Sequence, residues 1–138
     1  MNEPLLRVLS LGAGVQSSTL YLMAVKGAWG DRGPTLAVFA DTQWESRRVY
    51  DWLAELERIG GDVIPIISVT AGNIRDDLVS GIERGHRIAN IPFHAVLDGK
   101  KSMLRRTCTK EYKLEPIRKT VRREYDRIRA ERGITGKL

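Results

Sequence analysis

Residues 10–19, Ser-Leu-Gly-Ala-Gly-Val-Gln-Ser-Ser-Thr, combine the groups that an anion-binding turn needs. Gly12 and Gly14 are followed by a run of hydroxyl side chains. Glycine lets the backbone approach an oxyanion closely, and the first N–H groups of a helix point outward without partners. The helix dipole adds roughly half a positive charge at that end. The run predicts either a phosphate-binding turn or an ordinary strand–turn–helix connection capped by Ser17.

A carboxylate and a hydroxyl follow the second apolar run, in the segment Asp41-Thr42-Gln43-Trp44-Glu45. Open parallel sheets bind their ligands at the carboxyl ends of strands. Asp41 and Thr42 can accept hydrogen bonds from ribose hydroxyls or an adenine amino group there, or Asp41 can simply begin the next helix. Trp44 either stacks on a base or packs beside that helix.

Four basic residues lie around Cys108, which is the chain's single cysteine: Arg105, Arg106, Lys110 and Lys113. If these cations converge, they attract phosphate or sulfate oxygens, and arginine binds them in a bidentate way. The same cations favour the thiolate of Cys108. This residue is therefore either a reactive, candidate catalytic group or a buried structural cysteine. His86 and His94 lack the spacing of a metal site, so no protein metal site is predicted.

The first of these stretches resembles the pyrophosphate loop of the adenine nucleotide alpha-hydrolase (PP-loop) superfamily, Ser-Gly-Gly-x-Asp-Ser. Residues 12–17 take the place of that loop. Gly12 stands at the serine, Ala13 at a glycine and Gln16 at the acidic residue.

The other two stretches are similar to the phosphoadenosine-phosphosulfate (PAPS) reductase-like branch of that superfamily. Asp41-Thr42 matches its Asp-Thr at the second strand end. The branch also carries the segment Cys-Cys-x-x-x-Lys-x-x-Pro-Leu. In this chain Cys108, Lys113, Pro116 and Ile117 keep the spacing of that segment, and Thr109 stands at its second cysteine.

The resemblance implies that an adenine nucleotide, either ATP or a PAPS-like compound, binds with magnesium as a helper ion. Its phosphates would contact Ser10, Gly12, Ala13, Gly14, Gln16, Ser17 and Ser18. Asp41 and Thr42 would border the adenosine, and the far end would be neutralised by Arg105, Arg106, Lys110 and Lys113. With ATP, the implied reaction is cleavage between the alpha and beta phosphates, by a pyrophosphatase or an adenylating enzyme.

Sulfate reduction is not expected, because one cysteine cannot hold a four-cysteine iron–sulfur cluster. No further cysteine follows Cys108 to act as the reductase nucleophile. A sulfur-transfer accessory of the nucleic-acid thiolation kind, with Cys108 carrying the sulfur, is a weaker alternative.

Charge distribution supports a different alternative, a binding module without turnover. Residues 99–138 carry 14 basic and five acidic side chains, a net charge of +9, whereas residues 1–98 carry −3. A basic segment of this kind attracts nucleic acid or an acidic protein, unless its arginines simply form a solvated helix face.

Periodicity predicts a Rossmann-like α/β fold with helices around a parallel sheet of strand order 3-2-1. Strands are predicted at residues 5–11, 35–40 and 63–69, the first buried on both faces and the third at an edge because of Pro65. Helices are predicted at residues 17–26, 46–59 and 114–131, with a short one capped by Asn73. Residues 85–103 show no clear period and are predicted to form a long loop.

The length of 138 residues indicates one domain spanning residues 1–138. No apolar run approaches the roughly 20 residues that span a bilayer, and residues 1–4 do not resemble a signal peptide. A lone cysteine suits a reducing cytoplasm. The superfamily's sheet normally continues after the basic helix, where this sequence stops. Three explanations stay open: a strand within residues 85–103, a partner chain such as a second copy in a homo-oligomer, or a fragment.

Overall fold

The computed structural model describes residues 4–85, 94–97, 100–103 and 109–135. Its central feature is a parallel sheet of three strands in the order β1-β2-β3. The strands are β1 (Val8–Leu11), β2 (Leu36–Asp41) and β3 (Ile66–Thr70). They alternate with helices α1 (Val15–Val25) and α2 (Arg47–Gly60). This confirms the predicted α/β architecture with parallel β-α-β units, consistent with a Rossmann-like fold.

Two further helices follow β3. Helix α3 (Ile74–Arg84) begins after Asn73, whose side chain accepts hydrogen bonds from two backbone N–H groups of the first turn, which confirms the predicted cap. Helix α4 (Glu115–Glu131) is preceded directly by a π-helical segment, Thr109–Leu114. Among the described helices, none combines the length and apolar character needed to cross a membrane.

The main hydrophobic core lies between the sheet and the pair α1 and α2. Its fully buried members include Leu11, Tyr21 and Leu56. The Tyr21 hydroxyl donates a 2.8 Å hydrogen bond to the Ile64 carbonyl, which joins α1 to the segment that leads into β3. The spacing of Val49, Trp52, Leu53, Leu56 and Ile59 predicts an apolar face on α2. Leu53 and Leu56 of that face are directed into the core, whereas Trp52 and Ile59 are 37% and 43% exposed.

Helix α4 covers the other face of the sheet. Leu36 and Ile67 border the same space as Ile128 of α4, whereas their neighbours Ala37 and Ile66 belong to the core beneath α1 and α2. Because successive side chains of a strand point to opposite faces, α4 and the α1–α2 pair lie on opposite sides. The sheet therefore sits between two helical layers.

The prediction that the first strand is buried on both faces is wrong. In β1 only Leu11 is buried and Ser10 is exposed, whereas Leu36 through Ala40 of β2 are all buried. The reason is position, since β2 is the central strand of the described sheet and β1 lies at its edge. The prediction for β3 is confirmed, because this strand occupies the opposite edge and starts immediately after Pro65.

The prediction of one long loop over residues 85–103 is wrong for residues 94–97 and 100–103, and residues 86–93, 98 and 99 lie outside the described residues. His94–Leu97 (β4) and Lys100–Met103 (β5) form an antiparallel pair, which is a sheet of its own rather than an addition to the parallel sheet. The sequence signal for this hairpin is Asp98-Gly99, a dipeptide that favours tight two-residue turns. The second strand was not predicted because Lys100-Lys101-Ser102 lacks the alternation of apolar and polar residues that is typical of a strand.

Candidate functional site

The first two predicted stretches, residues 10–19 and Asp41–Glu45, both follow strands of the parallel sheet and begin where those strands end. The strands β1 and β2 are parallel with Leu11 paired to Phe39, and β2 and β3 are parallel with Asp41 paired to Thr70. The turn after β1 and the loop after β2 are therefore neighbours at the carboxyl edge of the sheet. This is the edge at which open α/β sheets bind ligands.

The turn after β1 is very short, because helix α1 begins at Val15. Gly14 is the N-cap residue, with extended backbone angles of φ −84° and ψ 171°. The prediction that the helix starts at Ser17 is wrong by two residues, and Ser17 lies in the first turn rather than at the cap. Its hydroxyl oxygen accepts from the Gly12 N–H at 3.2 Å and donates to the Gly14 carbonyl at 3.3 Å, which braces the turn.

The fold itself does not require glycine at either end of this turn. A Cβ atom at Gly14 would meet nothing within 4 Å, and one at Gly12 would meet only the Ser17 hydroxyl at 3.8 Å. Neither glycine has a positive φ. Small residues here keep open an exposed groove of about 650 Å³, which is lined by Ser10, Gly12, Gly14, Val15, Gln16, Ser17 and Leu20.

Ala13 carries the backbone strain of the turn. It has a φ of +53° and a buried methyl group. This left-handed conformation disfavours any residue with a Cβ atom. Strained backbone persists where the surrounding structure determines it, and it is concentrated at functional sites. Ala13 also stands where the resembling loop has a glycine, the residue that adopts such a conformation without strain.

We expect Ala13→Gly to leave the free energy of unfolding unchanged or to raise it by up to about 1 kcal/mol. Relief of left-handed strain of about 1–2 kcal/mol offsets the greater freedom of glycine in the unfolded chain. Ala13→Val should instead lower stability by more than about 1 kcal/mol, because a β-branched residue tolerates this φ poorly. Urea unfolding of both variants measures the difference, and a clear loss of stability in Ala13→Gly would contradict the strain.

The next two hydroxyl groups do not face the turn. Ser18 is buried, and its oxygen accepts a 2.8 Å hydrogen bond from the indole N–H of Trp52 on α2. The Thr19 hydroxyl donates to the Val15 carbonyl at 2.8 Å. Ser18 was predicted to contact phosphate, but the structure places its side chain between the two helices.

The Asp41 carboxylate is held at the end of β2. Its Oδ1 atom accepts from the Gln43 N–H and from the Tyr50 hydroxyl, both at 2.7 Å. Burial, aided by this hydrogen bond to Asp41, raises the pKa of Tyr50 above its ordinary value of 10.0. Tyr50 therefore stays a neutral donor at physiological pH, and Asp41 is preorganised as an acceptor.

Thr42 connects the loop after β2 to the rest of the site. Its side chain is buried and donates to Glu45 Oε1 at 3.1 Å, while its carbonyl accepts from the Ile74 N–H at 3.1 Å. The same Glu45 oxygen lies 3.7 Å from Lys113 Nζ. The structure thus brings Lys113, from the third predicted stretch, beside the end of β2, whereas Lys110 is exposed on the same π-helical segment.

Tyr112 anchors that segment to α3. Its hydroxyl is 2.5 Å from Asp77 Oδ2, and its ring is buried. Burial and the hydrogen bond to Asp77 raise the pKa of Tyr112 far above its ordinary value of 10.0. The contact fixes the backbone on one side of Lys113, so it positions that ammonium group at the site.

We expect Tyr112→Phe to reduce the free energy of unfolding by about 1.5–3 kcal/mol, the range for a hydrogen bond to a charged group. Because the folded pKa of Tyr112 is raised, its stabilisation is complete below pH 10 and is lost as the pH rises through the folded value. Chemical unfolding at pH 7 and pH 11 tests both points. Equal stability of the wild type and Tyr112→Phe at pH 7 would contradict the contact.

The remaining members of the third stretch lie outside the described residues. Arg105, Arg106 and Cys108 therefore stay predictions, as does any catalytic or sulfur-carrying role of the cysteine. Within the described part of the chain, no group of three or more His, Cys, Asp or Glu side chains could hold a metal ion.

The arginines of α4 are largely engaged with acidic residues of the same helix. Arg127 lies 3.0 Å from Glu124 and 2.8 Å from Glu131, and Arg122 lies 3.7 Å from Asp126. Such exposed ion pairs add little stability. They do neutralise part of the basic surface that the charge count predicts, although Arg118 and Lys119 are exposed near the start of the helix.

Sequence reasoning missed the residues that hold the candidate site in place. Tyr50 supports Asp41, Glu45 contacts both Thr42 and Lys113, and Asp77 receives Tyr112. Glu45 lies inside the segment Asp41–Glu45, which the sequence singles out at the end of the second strand, and this position was a usable signal. Nothing in the sequence pairs Asp77 with Tyr112, because they are separated by 35 positions.

Comparison of the chain with protein-family models, with curated proteins and with solved structures finds no match. Any function must therefore be argued from the residues and their geometry.

Proposed function

We propose that this chain is a PAPS reductase-like, adenine nucleotide-binding protein of the PP-loop type. The observation that supports it is the juxtaposition, at one edge of a parallel sheet, of the turn formed by residues 12–14 with the loop that follows Asp41. The turn supplies an open groove and the N-terminus of an 11-residue helix. The loop supplies fixed polar acceptors at the adjacent strand.

The roles follow from the chemistry of each part. Backbone N–H groups at the start of α1 donate to phosphate oxygens, and the helix dipole favours the negative charge. Asp41 and Thr42 border the adenosine, where acceptors suit ribose hydroxyls and the adenine amino group. Lys113 lies close enough to this edge to neutralise a phosphate or sulfate group, in exchange for its contact with Glu45.

With ATP as the ligand, we propose attack of an acceptor on the alpha phosphorus and departure of pyrophosphate. The bond between the acceptor and phosphorus forms as the bond to the bridging oxygen breaks. The protein accelerates this step by positioning and by stabilising charge with N–H groups and cations. Magnesium bound to the nucleotide would supply further charge neutralisation. Gln16, which lines the groove in place of an acidic residue, offers no carboxylate to bind the ion directly, so the phosphates would hold it.

The second candidate function is a module that binds a polyanion through α4 without turnover. Exposed Arg118 and Lys119 favour it. It requires nucleic-acid binding that weakens steeply with salt, because phosphate contacts release counterions. Binding that is absent, or that does not respond to salt between 50 and about 200 mM, would remove this candidate.

Pyrophosphate release from ATP and magnesium tests the first proposal. We expect release by the wild type and a loss of it in Asp41→Ala. Asp62→Ala is a matched control. This exposed carboxylate precedes β3, so it lies toward the amino ends of the strands, away from the candidate site. Neither release nor nucleotide binding by the wild type would refute the proposal.

A further inference from the structure

Trp44 is the most exposed of the three tryptophans. Its exposed fraction is 51%, against 37% for Trp52 and 36% for Trp29. Trp52 uses its indole N–H within the fold, to bond Ser18 between α1 and α2. Trp29 precedes β2, so it lies toward the amino edge of the sheet. Trp44 lies in the loop that follows β2 at the carboxyl ends of the strands, next to Asp41 and Thr42 in the chain, and no hydrogen bond within the described residues uses its indole N–H.

The loop that carries Trp44 is held on both sides. On one side, Gln43 has a φ of +56°, donates its N–H to Asp41 and donates its side-chain amide to Thr70 at 3.2 Å. On the other side, Glu45 accepts from the buried Thr42 hydroxyl. An indole presented by a fixed backbone loses little conformational freedom when it binds a ligand. The loop therefore presents a large planar surface at the candidate site.

Packing does not account for this placement. A tryptophan that served mainly as part of the core beside α2 would be buried there, as Leu56 is. About half of the Trp44 surface faces solvent instead, in the loop that begins after the Asp41 carboxylate. A planar base is the ligand group that such a surface takes, because base–aromatic stacking does not depend on the identity of the base.

We propose that Trp44 stacks on the nucleobase of the bound nucleotide, an inference that rests on the proposed function. Trp44 then supplies affinity for any planar base, and Asp41 and Thr42 supply the preference for adenine. It follows that the chain binds a nucleotide far better than an inorganic polyphosphate of equal charge. The part of the affinity that comes from the base should depend on Trp44.

The test is calorimetric titration of ATP and of inorganic tripolyphosphate into four proteins: the wild type, Trp44→Ala, Trp44→Phe and Trp29→Ala. We expect Trp44→Ala to weaken ATP binding about tenfold or more. Trp44→Phe keeps an aromatic face and should lie within about threefold of the wild type. Trp29→Ala is the control for loss of an exposed indole elsewhere and should bind ATP normally. Tripolyphosphate should bind all four proteins equally.

Wild-type affinity for ATP in Trp44→Ala would overturn the stacking role while leaving the proposed function intact. An equal loss of ATP and tripolyphosphate binding would also overturn it, because the effect would then lie in the phosphate site. No nucleotide binding by the wild type would refute the proposed function and this inference together. Circular dichroism of Trp44→Ala verifies its fold. Trp44→Leu is a second variant, which is apolar but lacks a π face, and it should show the same loss of ATP affinity as Trp44→Ala.

Discussion

Gly14→Asp is expected to weaken nucleotide binding at least about a hundredfold without harming the fold. A carboxylate about 4 Å from a phosphate costs about 4 kcal/mol at the effective dielectric constant of a protein surface. Its oxygen would also accept from the N–H groups at the start of α1 that the phosphate needs. Because Gly14 is an N-cap residue with space around it, aspartate fits there and is a better cap than glycine.

Gly14→Asn is the matched control for that experiment. Asparagine has the size and capping ability of aspartate but no charge, so the difference between the two variants isolates electrostatic repulsion. We expect the affinity of Gly14→Asn to fall between those of the wild type and Gly14→Asp, with thermal stability equal to or above wild type in both. Equal nucleotide affinity in the two variants would show that no anion binds at this turn.

Gly60→Val is expected to destabilise the protein by about 3 kcal/mol, at the upper end of the range for overpacking. Gly60 ends α2 where it crosses α1. A Cβ atom there would overlap Val25 Cγ2 and lie 3.0 Å from the Tyr21 hydroxyl. Tyr21 has little room to move, since it is fully buried and bonded to the Ile64 carbonyl.

Two variants separate this steric effect from helix propensity. Ala54→Val places the same side chain at an exposed position of α2, where we expect a loss of only about 0.6 kcal/mol. Val25→Ala removes the atom that the new side chain strikes, so the double variant Gly60→Val/Val25→Ala should be more stable than the sum of the single changes indicates. Additive losses in urea unfolding would contradict the close approach of α1 and α2.

Local patterns predicted most of the elements. The stripe of Val49, Trp52, Leu53, Leu56 and Ile59 predicted α2. Asn73 predicted the start of α3. Both signals work because caps and helical periodicity are properties of neighbouring residues. Pro65 predicted an edge strand, because a residue without a backbone N–H cannot donate to the hydrogen-bond ladder of a central strand. Each of these signals depends on a few adjacent positions.

Features that depend on tertiary contacts were not predicted. The burial of β1 depends on which strands flank it, and its sequence cannot show that it lies at an edge of the described sheet. The serine run looks uniform, yet Ser17 braces the turn while Ser18 bonds Trp52, 34 positions away. Lys113 reaches Glu45 only because the π-helical segment is anchored through Tyr112 to α3. These contacts decide which predicted residues can act together.

The most direct test of the central proposal is calorimetric titration of the wild-type chain with ATP, adenosine phosphosulfate and PAPS, repeated on Gly14→Asp and Asp41→Ala. We expect micromolar binding of at least one of these nucleotides by the wild type and its loss in both variants. A preference among the three ligands would separate adenylation from sulfate chemistry. Absence of binding by the wild type, or equal binding by all three proteins, would contradict a nucleotide site at the carboxyl edge of the sheet.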